Sequence, residues 1–305
     1  MENQTKDNLF SGKKPKVSLL SFNFLSEYLG RQTTVNILLP YGCYTQSTIN
    51  VAKPYKTMLL LHGKSDDYSS WLRCSVIENL ARDYSLAVIM PDAGNSFYAD
   101  MSYGADYYSY IVKELPEVLR GILPLSAKKE DNFIAGYSMG GYGALKIGLN
   151  NPQSFSAIGC FSPAVDVVGL AESAILDSSR AFDNAFLNDC ITKRLNPEKV
   201  KHQMLADKKL FFDAYGDSAL DLAGTDNDIY ELMKRRLATG DTPPIYQTCG
   251  RDDFLYKANL AFSEFASENH CNLCYEESEG GHNWSVWNKN IVDYFNFLKN
   301  KGLLM

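Results

Sequence analysis

Two hydrophobic periods alternate along the chain. Mostly apolar runs of strand length recur at residues 57–61, 86–90, 132–137 and 155–161. Such runs mark strands buried on both faces. Between them the period changes to that of a helix. Residues 71–84 place Trp71, Val76, Ile77, Leu80 and Ala81 on one face, and residues 107–122 do the same with Ile111, Leu115, Val118 and Leu119. Pro116 falls inside the second pattern and predicts a kink or a split, because it has no amide hydrogen to donate. Residues 17–23 and 33–39 are β-branched and apolar, with Tyr28-Leu29-Gly30-Arg31 between them. They predict an opening hairpin at a sheet edge. A strand at 244–250, a helix at 257–268, a strand at 272–276 and a helix at 286–299 complete the pattern. This alternation predicts a mostly parallel, doubly wound α/β sheet. Residues 165–241 carry amphipathic patterns but no buried strand, so a helical, lid-like excursion is expected after the sixth strand. The polar residues 1–16 read as a flexible lead-in, and 17–305 as one domain.

The strand that starts at Asn132 ends in Gly136-Tyr137-Ser138-Met139-Gly140, and a helical pattern follows at once. This is G-x-S-x-G in its strand–turn–helix context. So tight a turn strains the serine backbone and leaves no room for side chains at the flanking positions. It also sets Ser138 at a helix N-terminus, where free N–H groups stabilise developing negative charge. Ser138 is therefore the candidate nucleophile. A serine merely capping a glycine-lined turn is the plainer alternative.

A serine hydroxyl attacks at neutral pH only if a base takes its proton. Of the four histidines, His282 lies in Gly280-Gly281-His282-Asn283-Trp284, between a predicted strand and a predicted helix. That places it at the same sheet edge as Ser138. The preceding strand ends at Gly250-Arg251-Asp252-Asp253-Phe254-Leu255, which offers two adjacent carboxylates to orient the imidazole. The order serine, acid, histidine is that of the α/β-hydrolases. Backbone N–H groups of Met139 and Lys64 are the candidate oxyanion donors, so the Lys64 side chain is free to point into solvent. His62 reads as shaping the Lys64 loop, with the substrate pocket as its other candidate place. Trp71, Phe97, Tyr98 and Trp284 are pocket candidates for an acyl group or a sugar, against a plain role in loop packing.

Composition narrows the setting. The formal net charge of −6 argues against a nucleic-acid partner. The lead-in has no apolar signal-peptide core, and no segment approaches the ~18 apolar residues of a membrane span. Seven cysteines, an odd number, fit reduced thiols and a cytoplasmic location. Cys271 and Cys274 have C-x-x-C spacing without a second pair, and the sequons at Asn3 and Asn283 read as chance matches.

Together, Leu60-Leu61-His62-Gly63, Trp71-Leu72-Arg73, Met90-Pro91-Asp92, Asn95-Ser96-Phe97-Tyr98, the Ser138 motif and Gly281-His282-Asn283-Trp284 with Trp287 resemble the esterase-D-type α/β-hydrolases. Within them the chain is most similar to the tributyrin esterases, relatives of the feruloyl and acetyl xylan esterases. The resemblance implies the α/β-hydrolase fold and hydrolysis of short-chain acyl esters, acetylated or feruloylated sugars among them. It implies no metal and no organic cofactor, a small-molecule ester as partner, and leaves a homo-oligomer open. It also selects Asp253, which precedes Phe-Leu, over Asp252. S-formylglutathione hydrolases share the serine motif and supply the alternative thioesterase reading. A hydrolase-fold binding protein without turnover is the alternative outside the enzymes. At Asp66 many relatives carry glycine, which predicts a stiffer loop and a more acidic pocket here.

Overall fold

The computed structural model describes residues 16–41, 54–180, 193 and 196–304. The expected lead-in before Lys16 and the Asn3 sequon lie outside these residues. Eight strands form one sheet: β1 (Lys16–Ser26), β2 (Arg31–Tyr41), β3 (Thr57–Leu61), β4 (Ala87–Pro91), β5 (Asn132–Tyr137), β6 (Ala157–Phe161), β7 (Ile245–Gly250) and β8 (Leu273–Ser278). Their order is β1-β2-β4-β3-β5-β6-β7-β8. β2 runs antiparallel to both neighbours, and the other pairings are parallel. The carboxyl ends of β3, β5, β6, β7 and β8 therefore share one edge.

Every residue of β3 through β7 is buried, Gln247 and Thr248 of β7 included. Successive side chains point to opposite faces. Leu59, Leu61 and Ile134 enter one core layer, while Met58, Leu60 and Phe133 enter the other. The helices are α1 (Ser70–Cys74), α2 (Ile77–Asp83), α3 (Tyr107–Ser109), α4 (Leu115–Ile122), α5 (Met139–Asn150), α6 (Val167–Arg180), α7 (Pro197–Tyr215), α8 (Ile229–Thr239), α9 (Tyr256–Glu268) and α10 (Trp284–Asn300). After β6, the described residues of the excursion supply α6, α7, a 3₁₀ turn at Gly216–Leu220 and α8.

One predicted helix is divided and another changes its winding. Residues 71–84 break between α1 and α2, where Ser75 is extended and the Val76 N–H is taken by the Asn288 side chain at 2.8 Å. A distant residue supplies the partner that the helix would otherwise have provided. Pro116 lies in the first turn of α4, behind a π-helical turn at Tyr110–Glu114. The backbone stays helical through Glu114 and Leu115, so the missing N–H falls inside the helix and its winding changes there.

α5 is buried from Met139 to Leu149, Lys146 included. The Lys146 ammonium donates to the Tyr98 carbonyl at 3.0 Å, between the rings of Tyr108 and Tyr142. Burial pushes its pKa down to about 7, from 10.5. Between those values the unfolded chain holds a proton that the folded chain has released, so stability rises with pH across that window. Lys146→Met should remove this slope. Urea midpoints at pH 7 and pH 9, compared between variant and parent, measure it.

Candidate active site

Ser138 joins β5 to α5 with φ 54° and ψ −122°, a conformation that a side-chain-bearing residue holds only under constraint. The constraint is visible. The Ser138 N–H donates to the Phe161 carbonyl at 2.9 Å, and its carbonyl accepts from Tyr142 at 3.0 Å and Ala164 at 3.2 Å. The two glycines of the motif are sterically required. A Cβ on Gly136 would stand 2.3 Å from the Gly140 oxygen, and one on Gly140 would stand 2.5 Å from the Leu61 oxygen.

The loop between β8 and α10 brings His282 Nε2 to 2.9 Å from Ser138 Oγ. The loop after β7 brings Asp253 Oδ2 to 2.8 Å from His282 Nδ1. An ionised carboxylate only accepts, so Nδ1 carries the proton and Nε2 faces the serine hydroxyl with its lone pair. Asp253 is 5% exposed, and its other oxygen accepts the Leu255 N–H at 2.9 Å. Burial alone would raise this carboxyl. Hydrogen bonds from His282, Leu255 and Ser162 outweigh it and hold the group below the usual carboxylate value. Asp252, the other carboxylate of the pair, is exposed. Asn283 caps α10 directly after His282, accepting from the Ser285 and Val286 N–H groups. The Phe254 and Trp287 rings flank the imidazole at 4.6 and 4.9 Å.

Beside Ser138 lies a cavity of ≈ 260 Å³ whose lining includes Lys64, Met139 and Phe97. The excursion closes it with Leu170 and Ala174 of α6 and Met204, Leu210 and Phe211 of α7. These wall residues were missed in the sequence. Only the amphipathic period of the segment hinted at them, because their partners are remote.

The other pocket candidates lie elsewhere. Trp71 is 1% exposed, donates its indole N–H to the Leu61 carbonyl at 2.9 Å, and packs edge-on against Tyr137 and Trp284. Trp284 completes that cluster on the opposite face of the sheet from α5, outside the cavity lining. Tyr98 is fully buried, and its hydroxyl donates to the His62 carbonyl at 2.8 Å. His62 is equally enclosed. Trp287, which follows the resemblance motif, donates to Ser162 Oγ at 3.2 Å. Large aromatics near the site therefore serve mainly as scaffold, with Phe97 the exception. One expectation about the Lys64 loop is also corrected. Asp66 accepts from the Tyr137 hydroxyl and is not part of the lining, so the acid at the cavity is Asp207. The Lys64 side chain is exposed, as expected, and its ammonium pairs there with Asp207 of α7 at 2.7 Å.

A family model described as putative esterase matches residues 26–298. The chain belongs to that family. It is 31% identical over 287 residues to an acetyl esterase of Caldicellulosiruptor saccharolyticus, covering 92% of this chain and 98% of the relative. Among solved structures it resembles a fluorophosphonate-binding serine hydrolase F of Staphylococcus aureus, with 30% identity, a TM-score of 0.76, and 93% and 98% of the two chains covered. An S-formylglutathione hydrolase of the same organism gives 30% identity and a TM-score of 0.73, over 92% and 98% of the chains. The fold is that of the α/β-hydrolases, and the protein is a carboxylic ester hydrolase of the serine type. Among the described residues of this esterase, no helix is long and apolar enough to cross a membrane.

Gly140→Ala should test the steric demand at the turn. The added methyl must displace backbone oxygens of β3 and its loop, so a loss of about 1–3 kcal/mol in urea unfolding is expected. Turnover of a p-nitrophenyl ester should fall with it, because Ser138 and the Lys64 loop move together.

Proposed function

We propose that the esterase hydrolyses short-chain acyl esters through a Ser138–His282–Asp253 triad and an acyl-enzyme. The two hydrogen bonds linking Ser138, His282 and Asp253 carry this reading. Ser138 Oγ attacks the acyl carbonyl while His282 Nε2 takes its proton. Asp253 holds the imidazole and stabilises the imidazolium as it forms. The N–H groups of Met139 and Lys64 hold the oxyanion, each donor of this kind contributing about 10²–10³ in rate. His282 then passes the proton to the departing alkoxide. Water, with His282 again as base, releases the acid.

Cavity size supports the short acyl chain. At ≈ 260 Å³ it falls just below the common range of about 300–1,000 Å³ for ligand pockets, and its walls are mostly apolar. Similarity to an acetyl esterase agrees with that reading. A sugar platform built from Trp71 and Trp284 loses its support, since both pack into scaffold. The similarity to an S-formylglutathione hydrolase supports a second reading as a thioesterase.

Ser138→Ala should abolish p-nitrophenyl acetate turnover while the circular dichroism spectrum and melting temperature stay close to the parent's. Retained turnover would sink the assignment. Leu170→Trp should shorten the cavity, lowering kcat/KM for p-nitrophenyl hexanoate by about tenfold or more and changing the acetate by less than about threefold. Comparing kcat/KM on S-formylglutathione and p-nitrophenyl acetate separates the two substrate readings. A markedly higher value on the thioester would favour the second.

A further inference from the structure

We infer that His62 is a positioning residue, which aims the Lys64 N–H at the carbonyl oxygen of the bound ester through the Gly63 carbonyl. The inference rests on the assignment of Ser138 as nucleophile and Lys64 N–H as second oxyanion donor. His62 is 1% exposed, and both ring nitrogens are engaged. The Ala93 N–H donates to Nε2 at 2.9 Å, so that nitrogen must present its lone pair. The ring proton is then on Nδ1, which donates to the Gly63 carbonyl at 2.8 Å. Among the described residues no peptide bond is cis. In a trans peptide the C=O and the following N–H point in opposite directions. Holding the Gly63 oxygen against the imidazole therefore turns the Lys64 N–H away from it, on the residue that lines the cavity beside Ser138.

The same segment is registered against the first donor. The His62 carbonyl accepts the Tyr98 hydroxyl, and the Tyr98 carbonyl is held in turn by Lys146 of α5. The His62 oxygen also lies 2.6 Å from where a Gly140 Cβ would stand, one residue beyond Met139. Both oxyanion donors are thus tied to the first two turns of α5. Burial lowers the His62 pKa, and only part of this is offset by the Gly63 carbonyl and by Asp92, Asp66 and Asp67. The neutral Nδ1–H form is the one the site holds.

The test uses the full chain. His62→Ala and His62→Gln are assayed on p-nitrophenyl acetate and on the matching thionoester, whose sulfur is a weak acceptor. Both variants should lose about tenfold to hundredfold in kcat with KM within about threefold, a loss on the scale of a damaged oxyanion donor. The ester-to-thionoester rate ratio should fall in parallel, which loss of packing alone would not produce. Tyr98→Phe should give the same pattern at smaller amplitude. In the unmodified protein, ¹⁵N spectra should show His62 as the neutral Nδ1–H tautomer from pH 6 to pH 9, and this decides the matter where His62→Ala fails to fold. An unchanged kcat in folded variants, a lower kcat with an unchanged ratio, or an Nε2–H tautomer would overturn the inference. Turnover retained by Ser138→Ala would instead overturn the assignment beneath it.

Discussion

Ser138 stands on a backbone that its own side chain disfavours, and the surrounding elements are arranged to hold it there. Its N–H is bound to Phe161 at the end of β6, and its carbonyl is shared by Tyr142 of α5 and Ala164 beyond β6. Such a conformation costs about 1–3 kcal/mol. Burial of β5 and of nearly all of α5 offsets that cost. The strain has a return in geometry. A serine in regular strand or helix would point into a core layer, whereas this one stands at the sheet edge with a helix N-terminus behind it.

Around that point the esterase builds its site from loops that follow three other strands. β3 supplies Lys64, β7 supplies Asp253 and β8 supplies His282. Each lies within a few residues of a strand end, so the rigid sheet fixes their spacing and the loops need to be only locally ordered. Asp253 is buried where an isolated carboxylate would be expensive, yet three hydrogen bonds keep its charge favourable. His282, by contrast, remains half-buried between Phe254 and Trp287. The excursion then covers the cavity beside Ser138 with α6 and α7, and the Lys64–Asp207 pair ties α7 to the loop that follows β3.

Legibility in the sequence followed the range of the interactions involved. The strands were readable because a doubly covered strand is mostly apolar along its length. The hairpin of β1 and β2 was readable from β-branched residues around a short turn. The Ser138, Asp253 and His282 motifs were readable because each abuts a strand end and obeys a local steric or order rule. The division of residues 71–84 was not readable. It depends on Asn288, more than two hundred residues away, taking the Val76 N–H. The places of Trp71 and Trp284 were misjudged for a related reason. An aromatic next to a motif can face the cavity or the core, and only the layers packed around it decide which.

By itself the sequence determined the sheet, the elbow and His282 as the candidate base beside Ser138, because these follow from periodicity, from strand order and from sterics within a few residues. Tertiary structure alone decided that Asp253 and not Asp252 is buried against His282, a choice that the family resemblance anticipated but local spacing left open. It also decided the cavity wall, the scaffold role of the tryptophans and the two hydrogen bonds of His62. Each of these depends on contacts between segments far apart in the chain, and no local pattern encodes a distant partner.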